Sequence, residues 1–212
     1  MEPDNPYAAP EAPLIEPTRP AAIGAWTVGQ LRLLAALSAA AVLGTLVMSV
    51  LLLTIDPLLH PALTRLGEWM GPLVAVLGCY LLIRFKQFVE TRFEAPRLAW
   101  PVWSLVVVSL VVTGLEIALG DAMLMTPGWA MLLYFATVAL YGLVTVWFGI
   151  RLLRVHDVYA AVRVLAWLAI VGGAMLASVI LVLAALVPLL GVQLAMTAVF
   201  LRGASERRAL GP

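Results

Sequence analysis

The sequence has few of the residues that carry most protein chemistry. It contains one cysteine and two histidines among 212 residues, and charged residues make up only 12% of the chain. The lone Cys79 excludes an intrachain disulfide and a thiolate zinc or iron–sulfur site held by this chain alone. The sequence also lacks a P-loop. It therefore predicts no cofactor, and catalysis by this chain alone is not expected.

Hydrophobic residues, in contrast, make up 63% of the chain. A soluble domain of this length cannot hide so much apolar surface in one core. The solvent for most of this surface must be lipid, and the composition predicts an all-α, polytopic integral membrane protein.

Residues 1–25 differ in composition from the rest of the chain. The first twenty residues contain six prolines and four acidic residues, which predicts a disordered tail. The basic and early apolar regions of a signal peptide are both missing. Residues 5–10, Asn-Pro-Tyr-Ala-Ala-Pro, resemble tails that precede several families of small bacterial inner-membrane proteins. The resemblance implies a bacterial cytoplasmic membrane.

Apolar stretches of about 20 residues, the length that crosses the hydrocarbon core, predict six transmembrane helices within a domain of residues 26–204. The stretch from Val164 to Leu201 has no charged residue and is too long for a single crossing, so it must turn back. Proline breaks a helix or begins one, and Pro188 is the predicted turn. The predicted helices cover residues 31–55, 66–85, 98–119, 129–152, 163–183 and 187–201, followed by a short tail at 205–212.

The basic residues are distributed asymmetrically between the predicted loops. Twelve of the thirteen fall on one side of the six spans, and Arg65 alone falls on the other. Lysine and arginine concentrate in cytoplasmic loops, so both termini are predicted to be cytoplasmic. This charge pattern favours six spans over five, and the helices are predicted to form three hairpins.

Tryptophan gives a second, independent indication of the membrane boundaries, because its amphipathic ring prefers the interface. All seven tryptophans fall near predicted helix ends, with Trp26 at the start of the first helix. The predicted interface anchors are Trp69, Trp100, Trp103, Trp129, Trp147 and Trp167.

Two patterns concern packing. Phe85, Phe88 and Val89 follow helical spacing beside basic residues, which predicts that the second helix continues along the cytoplasmic interface. Small residues four apart allow helices to approach closely, either within the chain or against a partner; packing within the chain is the default interpretation. These pairs are Ala40 with Gly44, Gly67 with Gly71, and Gly173 with Ala177.

Glu116 is the first candidate for a functional residue, because ionisable groups inside a membrane are costly. It stands near the outer end of the third helix, four residues before Gly120-Asp121. Glu116 and Asp121 could serve a proton or a cation on an acidic outer surface. Alternatively, Glu116 is a solvated carboxylate or pairs with Arg65.

Met123, Met125 and His60 are weak candidates for a metal site. Thioether and imidazole ligands suit Cu(I). Methionine is also an ordinary filler of apolar surface, so no metal is predicted.

Several polar residues fall near the middle of the predicted spans. Hydroxyl and amide groups at this depth line the path of many transporters, but they are also common in packed helices. They therefore do not discriminate between functions. These residues are Thr45, Ser109, Thr137, Tyr141 and Gln193, together with Gly172-Gly173.

Two functions are predicted. The first is a non-catalytic accessory or interaction component of the membrane, with lipids, partner membrane proteins or a second copy of the chain as partners and no role for nucleic acid. The alternative is a transporter or channel for a small solute or an ion, which would use Glu116 and the outer acidic surface.

Overall fold

The computed structural model describes residues 26–54, 61–93, 95, 98–120 and 128–209. Within these ranges the chain forms six α-helices, and each is long and apolar enough to cross a membrane. The protein is therefore an all-helical, multi-pass membrane protein. The helices are α1 Val28–Thr54, α2 Pro61–Phe93, α3 Ala99–Leu119, α4 Trp129–Leu153, α5 Ala160–Ala177 and α6 Val182–Ala209.

The six helices pack as a ring in the order of the chain. Each helix contacts the helices before and after it, and α6 returns to contact α1. Neighbouring helices run in opposite directions, as two contacts between α1 and α2 show. A Cβ at Gly44, in the second half of α1, would lie 3.0 Å from Val74 in the first half of α2. Trp26, just before α1, donates a hydrogen bond to Thr91 near the end of α2. The contacts continue around the whole ring without singling out three pairs, so the grouping into three hairpins stays a prediction.

The turn between α5 and α6 lies earlier than the sequence predicted. It covers residues 178–181, with Val179 in the left-handed region at φ 61°, and Pro188 lies inside α6. The prediction of a turn at Pro188 is therefore wrong. Ser178 explains the difference: its hydroxyl donates to the carbonyl of Met175 at 2.6 Å and accepts from the amide of Leu181 at 3.3 Å. These bonds satisfy backbone groups that a turn leaves unpaired.

Pro188 is tolerated within α6 because it is a buried packing residue. A Cβ on Gly172 would lie 3.3 Å from the proline ring, so the two residues mark a contact between α5 and α6. Transmembrane helices accommodate proline where neighbouring helices cover the distortion. As a result α6 is a full span of 28 residues that extends through residues 205–209, where a tail was predicted.

The second helix does continue beyond residue 85, as predicted, but it does not lie along the interface. Phe85, Phe88 and Val89 are completely buried. Phe85 makes edge-to-face contacts with Phe148 and Phe200, at ring distances of 6.4 Å in each case. This phenylalanine cluster, which comprises Phe85, Phe88, Phe148 and Phe200, fills the ring of helices at one end. The interface prediction failed because helical spacing of apolar residues describes a buried face equally well.

Trp26 also belongs to the core rather than to the membrane interface. It is only 8% exposed, packs edge-on against Phe88 and donates a hydrogen bond from its indole nitrogen to Thr91 Oγ1 at 3.1 Å. Trp26, and with it the start of α1, is therefore fixed against the end of α2.

The predicted packing of small residues within the chain is confirmed for Gly173. A Cβ on this residue would lie 2.6 Å from the carbonyl oxygen of Gly142, so α4 and α5 touch backbone to backbone. Gly67 and Gly71 are looser, with the methyl group of Met48 as their nearest neighbour at 3.8 and 4.0 Å.

Candidate functional site: a central cavity and a buried ion pair

The ring of helices surrounds a partly open cavity of about 360 Å³ to which all six helices contribute. Leucine, valine, alanine and glycine make up most of its lining. Polar side chains are interspersed among them, and the described residues of the lining include no carboxylate, lysine, arginine or histidine. The polar residues are Ser38, Thr45, Cys79, Ser109, Thr113, Tyr141, Thr145 and Gln193.

The phenylalanine cluster closes one end of this cavity. Phe148 lines the cavity and packs against Phe85. From the phenylalanine cluster the cavity extends to Gly71 on α2, Thr113 on α3 and Leu186 on α6. Gly78 faces the open interior, because a Cβ at this position would meet no atom within 4 Å. The cavity therefore lies between the middle of the bundle and the end opposite the phenylalanine cluster.

Three hydroxyl groups of the lining donate their protons to backbone carbonyls. Thr45 donates to Ala41 at 2.9 Å, Thr145 donates to Tyr141 at 2.7 Å, and Ser38 of α1 donates to Gln193 of α6 at 3.0 Å. A hydroxyl oxygen that has donated its proton can still accept. These groups therefore present acceptors to the cavity.

Gln193 and Tyr141 differ from these residues. The side-chain oxygen of Gln193 is buried and has no hydrogen-bond partner among the described residues. The Tyr141 hydroxyl likewise makes no hydrogen bond to any residue that the structure describes. Both are polar groups at membrane depth that can still form hydrogen bonds.

A second cluster of polar side chains lies beyond the phenylalanine cluster, at the end of the bundle where α2 and α6 finish. Its centre is Arg92, which is only 8% exposed and forms an ion pair with Glu206 of α6. Tyr159, immediately before α5, donates its hydroxyl proton to the same carboxylate. The cluster thus ties three helices together at one end.

Two further contacts surround this ion pair. The Arg92 guanidinium lies 5.4 Å from the centre of the Phe93 ring, a favourable cation–π arrangement. Burial, together with the hydrogen bond to Glu206, raises the pKa of Tyr159 to about 12, so the phenol remains a donor at neutral pH. The arrangement closes the end of the bundle.

The predicted candidate Glu116 lies on α3 away from the cavity lining. Its side chain is exposed, and it accepts a hydrogen bond from Tyr134 of α4 at 3.0 Å. The other predicted candidates, Asp121, Met123, Met125 and His60, lie outside the described residues. The structure therefore shows Glu116 bonded to Tyr134, and the acidic outer surface stays a prediction.

The six tryptophans predicted as interface anchors are all exposed on the outside of the bundle. Trp69 and Trp129, near the starts of their spans in α2 and α4, are 78% and 73% exposed, and Trp100 at the start of α3 is 76% exposed. Trp103, Trp147 and Trp167 are exposed as well. This exposure is compatible with membrane anchoring, and their role as anchors stays a prediction.

Some of the cavity residues could be identified from the sequence as polar residues near the middle of the spans, but not as members of one site. Thr45, Ser109, Tyr141 and Gln193 were among the midplane polar residues, and the structure brings all four to one cavity. Thr137, in the same set, instead donates to the carbonyl of Leu133 at 2.8 Å outside the lining. Spacing of four residues, as in Ser109 with Thr113 and Tyr141 with Thr145, is a signal that could have identified the inward faces.

No protein-family model, no curated protein and no solved structure matches this chain.

Proposed function

We propose that this protein binds a small uncharged solute in its central cavity and acts as a membrane transport or carrier protein. The observation that carries the proposal is the cavity itself. Its volume of about 360 Å³ lies within the range of about 300–1,000 Å³ that is typical of small-molecule sites. A mostly apolar lining with a few convergent polar groups is also typical of such sites.

The chemistry of the lining favours an uncharged occupant. An ion at membrane depth needs opposite charges or many oriented carbonyls to replace its water. The described residues of the cavity lining include neither acidic nor basic side chains, and the helices around it are continuous. We therefore place the site in the cavity and not at Glu116, which was the residue that the sequence favoured for transport.

The accessory role that the sequence favoured first remains a prediction. It requires a partner, and stoichiometric co-purification of another membrane protein would support it. The central cavity favours binding of a solute over this role, because an accessory subunit has no need of an internal cavity.

We also propose that the protein resides in a bacterial inner membrane with both termini in the cytoplasm. The described basic residues support this orientation, since all but Arg65 lie where α1 and α5 begin and where α2, α4 and α6 end. In a Cys79→Ala background, a cysteine in place of Ser205 should react with a membrane-impermeant maleimide only after the cells are opened. A cysteine in place of Thr126 should react in intact cells. Reaction at position 205 in intact cells would overturn the orientation.

The cavity can be tested with the one cysteine of the chain, because Cys79 lines it. We expect N-ethylmaleimide to alkylate Cys79 in the purified, folded protein. Gly78→Leu should slow this reaction by about tenfold, since the new side chain enters the open interior and occludes a site of the usual small-molecule size. The measurement is the alkylation rate by intact-protein mass spectrometry.

Gly114→Leu is the matched control. Gly114 also lies in a transmembrane helix, and a Cβ there would likewise meet no atom within 4 Å, but it is exposed on the outside of α3 and does not line the cavity. Its substitution should leave the rate unchanged. Equal rates in the two variants would contradict an accessible cavity beside Cys79 and, with it, the proposed function.

A further inference from the structure

We infer that Gln193 and Tyr141 are the polar recognition point of the cavity, and that the occupant is a neutral amphipathic molecule that carries an alcohol or an amide group. The inference rests on the proposed function, since it names the class of molecule that the cavity would bind. It begins from two polar side chains, those of Gln193 and Tyr141, that make no hydrogen bond to any described residue.

Gln193 is held by its backbone, while its side-chain amide makes no hydrogen bond to any residue that the structure describes. Its carbonyl oxygen accepts hydrogen bonds from Ser38 Oγ at 3.0 Å and from Thr197 Oγ1 at 3.1 Å. Its side-chain oxygen is buried and has no partner, and none of the described residues bonds to its amide nitrogen. α6 is thereby fixed to α1 at a residue that lines the cavity.

An amide without partners at this depth has an energetic cost. Burying a polar group without a hydrogen bond costs free energy, and lipid supplies no water to relieve it. An aliphatic side chain would avoid the cost and pack as well. The simplest physical reason for a glutamine here is a ligand that completes its hydrogen bonds.

Tyr141 adds a second polar group to the same cavity. Thr145, one turn further along α4, donates to the Tyr141 carbonyl at 2.7 Å, so the backbone at this residue is satisfied while the phenol is not. The phenol can donate one hydrogen bond, and the glutamine amide can both donate and accept. An alcohol or an amide, which also does both, complements this pair.

The rest of the lining determines what the remainder of the molecule must be. Leu82, Leu105, Leu186, Leu189, Leu190 and Met196 face the cavity and would contact an apolar chain. A carboxylate or an ammonium group would find no opposite charge among the described residues of the lining. The occupant is therefore uncharged, with one polar head and an apolar body, and it can enter either from the lipid phase or from water.

The test uses three probes of defined chemistry on the full-length protein in lipid nanodiscs. These are 1-decanol, decane and water-soluble 1,3-propanediol, and the readout is protection of Cys79 from N-ethylmaleimide. We expect 1-decanol to protect at about tenfold lower concentration than decane, because one ligand hydrogen bond is worth about a factor of ten in affinity. Protection by 1-decanol indicates an occupant that enters from lipid, and protection by the diol alone would contradict the apolar body that we assign to the occupant.

Gln193→Leu should remove the preference for alcohol over alkane while leaving the thermal unfolding temperature unchanged or raised, because it replaces an unpaired polar group with an apolar one. A purely structural glutamine would show the opposite, a lower unfolding temperature with the preference intact. Gln193→Met, which keeps the length of the side chain, is the second variant if the first fails to fold. Thr137→Val is the control, since its hydroxyl lies outside the lining.

The outcomes separate the inference from the proposed function. Equal protection of the unmodified protein by 1-decanol and decane would overturn the recognition point while leaving the cavity as a binding site. Protection by none of the three probes would overturn the proposed function. An alcohol preference that survives in the Gln193 variants would remove this residue from the recognition point.

Discussion

Substituting Glu206 by alanine will destabilise the folded protein by about 3 kcal/mol, the lower end of what removing one partner of a buried ion pair costs. Arg92 would keep its charge in a site where only 8% of the residue is exposed. Two of its guanidinium nitrogens, Nε and Nη1, are already buried without hydrogen-bond partners among the described residues. Without Glu206 the third, Nη2, loses its carboxylate, and Tyr159 loses the acceptor for its hydroxyl proton.

The chain provides a closely matched control for this substitution. Glu90 pairs with Lys86 at 3.0 Å, four residues apart on α2, and its side chain is 31% exposed, against 30% for Glu206. Glu90→Ala should cost only about 0.3–0.5 kcal/mol, the usual contribution of an ion pair four residues apart on one helix. The measurement is the unfolding midpoint of each variant in the same detergent. Similar midpoints for the two variants would show that burial of Arg92 adds nothing to the cost of removing its acidic partner.

The double variant Arg92→Met with Glu206→Ala isolates the cause of the destabilisation. Removing both members of a buried ion pair costs less than removing one, because no unpaired charge remains buried. We therefore expect the double variant to recover most of the stability that Glu206→Ala loses. A double variant as unstable as the single one would mean that the carboxylate acts through Tyr159 and not through the arginine charge.

Much of the fold could be predicted because lipid imposes simple rules on sequence. Apolar length predicted the six helices, and both ends of α3 and α4 fall within one residue of their predicted positions, among them the start of α4 at Trp129. The turn before α6 lies earlier than predicted because a transmembrane helix can continue through a proline, as α6 does at Pro188. Ser178, the only hydroxyl residue between Val164 and Met196, was the better signal, since a turn in lipid needs local hydrogen bonds.

The Arg92 cluster and the cavity were harder to predict because each is assembled from distant parts of the chain. Arg92 and Glu206 are 114 residues apart. Even so, Arg92 continues the spacing of Phe85, Phe88 and Val89, which places the arginine on the face that the structure buries. A basic residue on an apolar face predicts a buried acidic partner, but the spacing does not identify which acid that partner is. The cavity required knowledge of which helices are neighbours, and the order of the ring is not encoded in any single helix.

The closest contact between helices, that of α4 with α5, should be intolerant of a single methyl group. Gly142→Ala would place a Cβ 2.5 Å from both the amide nitrogen of Ala177 and the carbonyl oxygen of Gly173. These are backbone atoms of a helix and cannot rotate away, so α4 and α5 must separate. Overpacking costs about 1–3 kcal/mol in cores that can adjust, and occasionally more. We expect at least about 3 kcal/mol here, because the neighbours are rigid and membrane helices depend on such close approach.

Gly114→Ala is the control for this substitution, because a Cβ at Gly114 meets nothing within 4 Å on an exposed face of α3. It should be neutral or stabilise the protein by up to about 1 kcal/mol, the difference in helix propensity between glycine and alanine. The measurement for both variants is the unfolding midpoint in detergent, with Cys79 alkylation under native conditions as a second readout. Separation of α4 from α5 would open the wall of the cavity, so Gly142→Ala should also raise the alkylation rate. An unchanged midpoint and rate in Gly142→Ala would mean that the two helices do not touch backbone to backbone in the membrane.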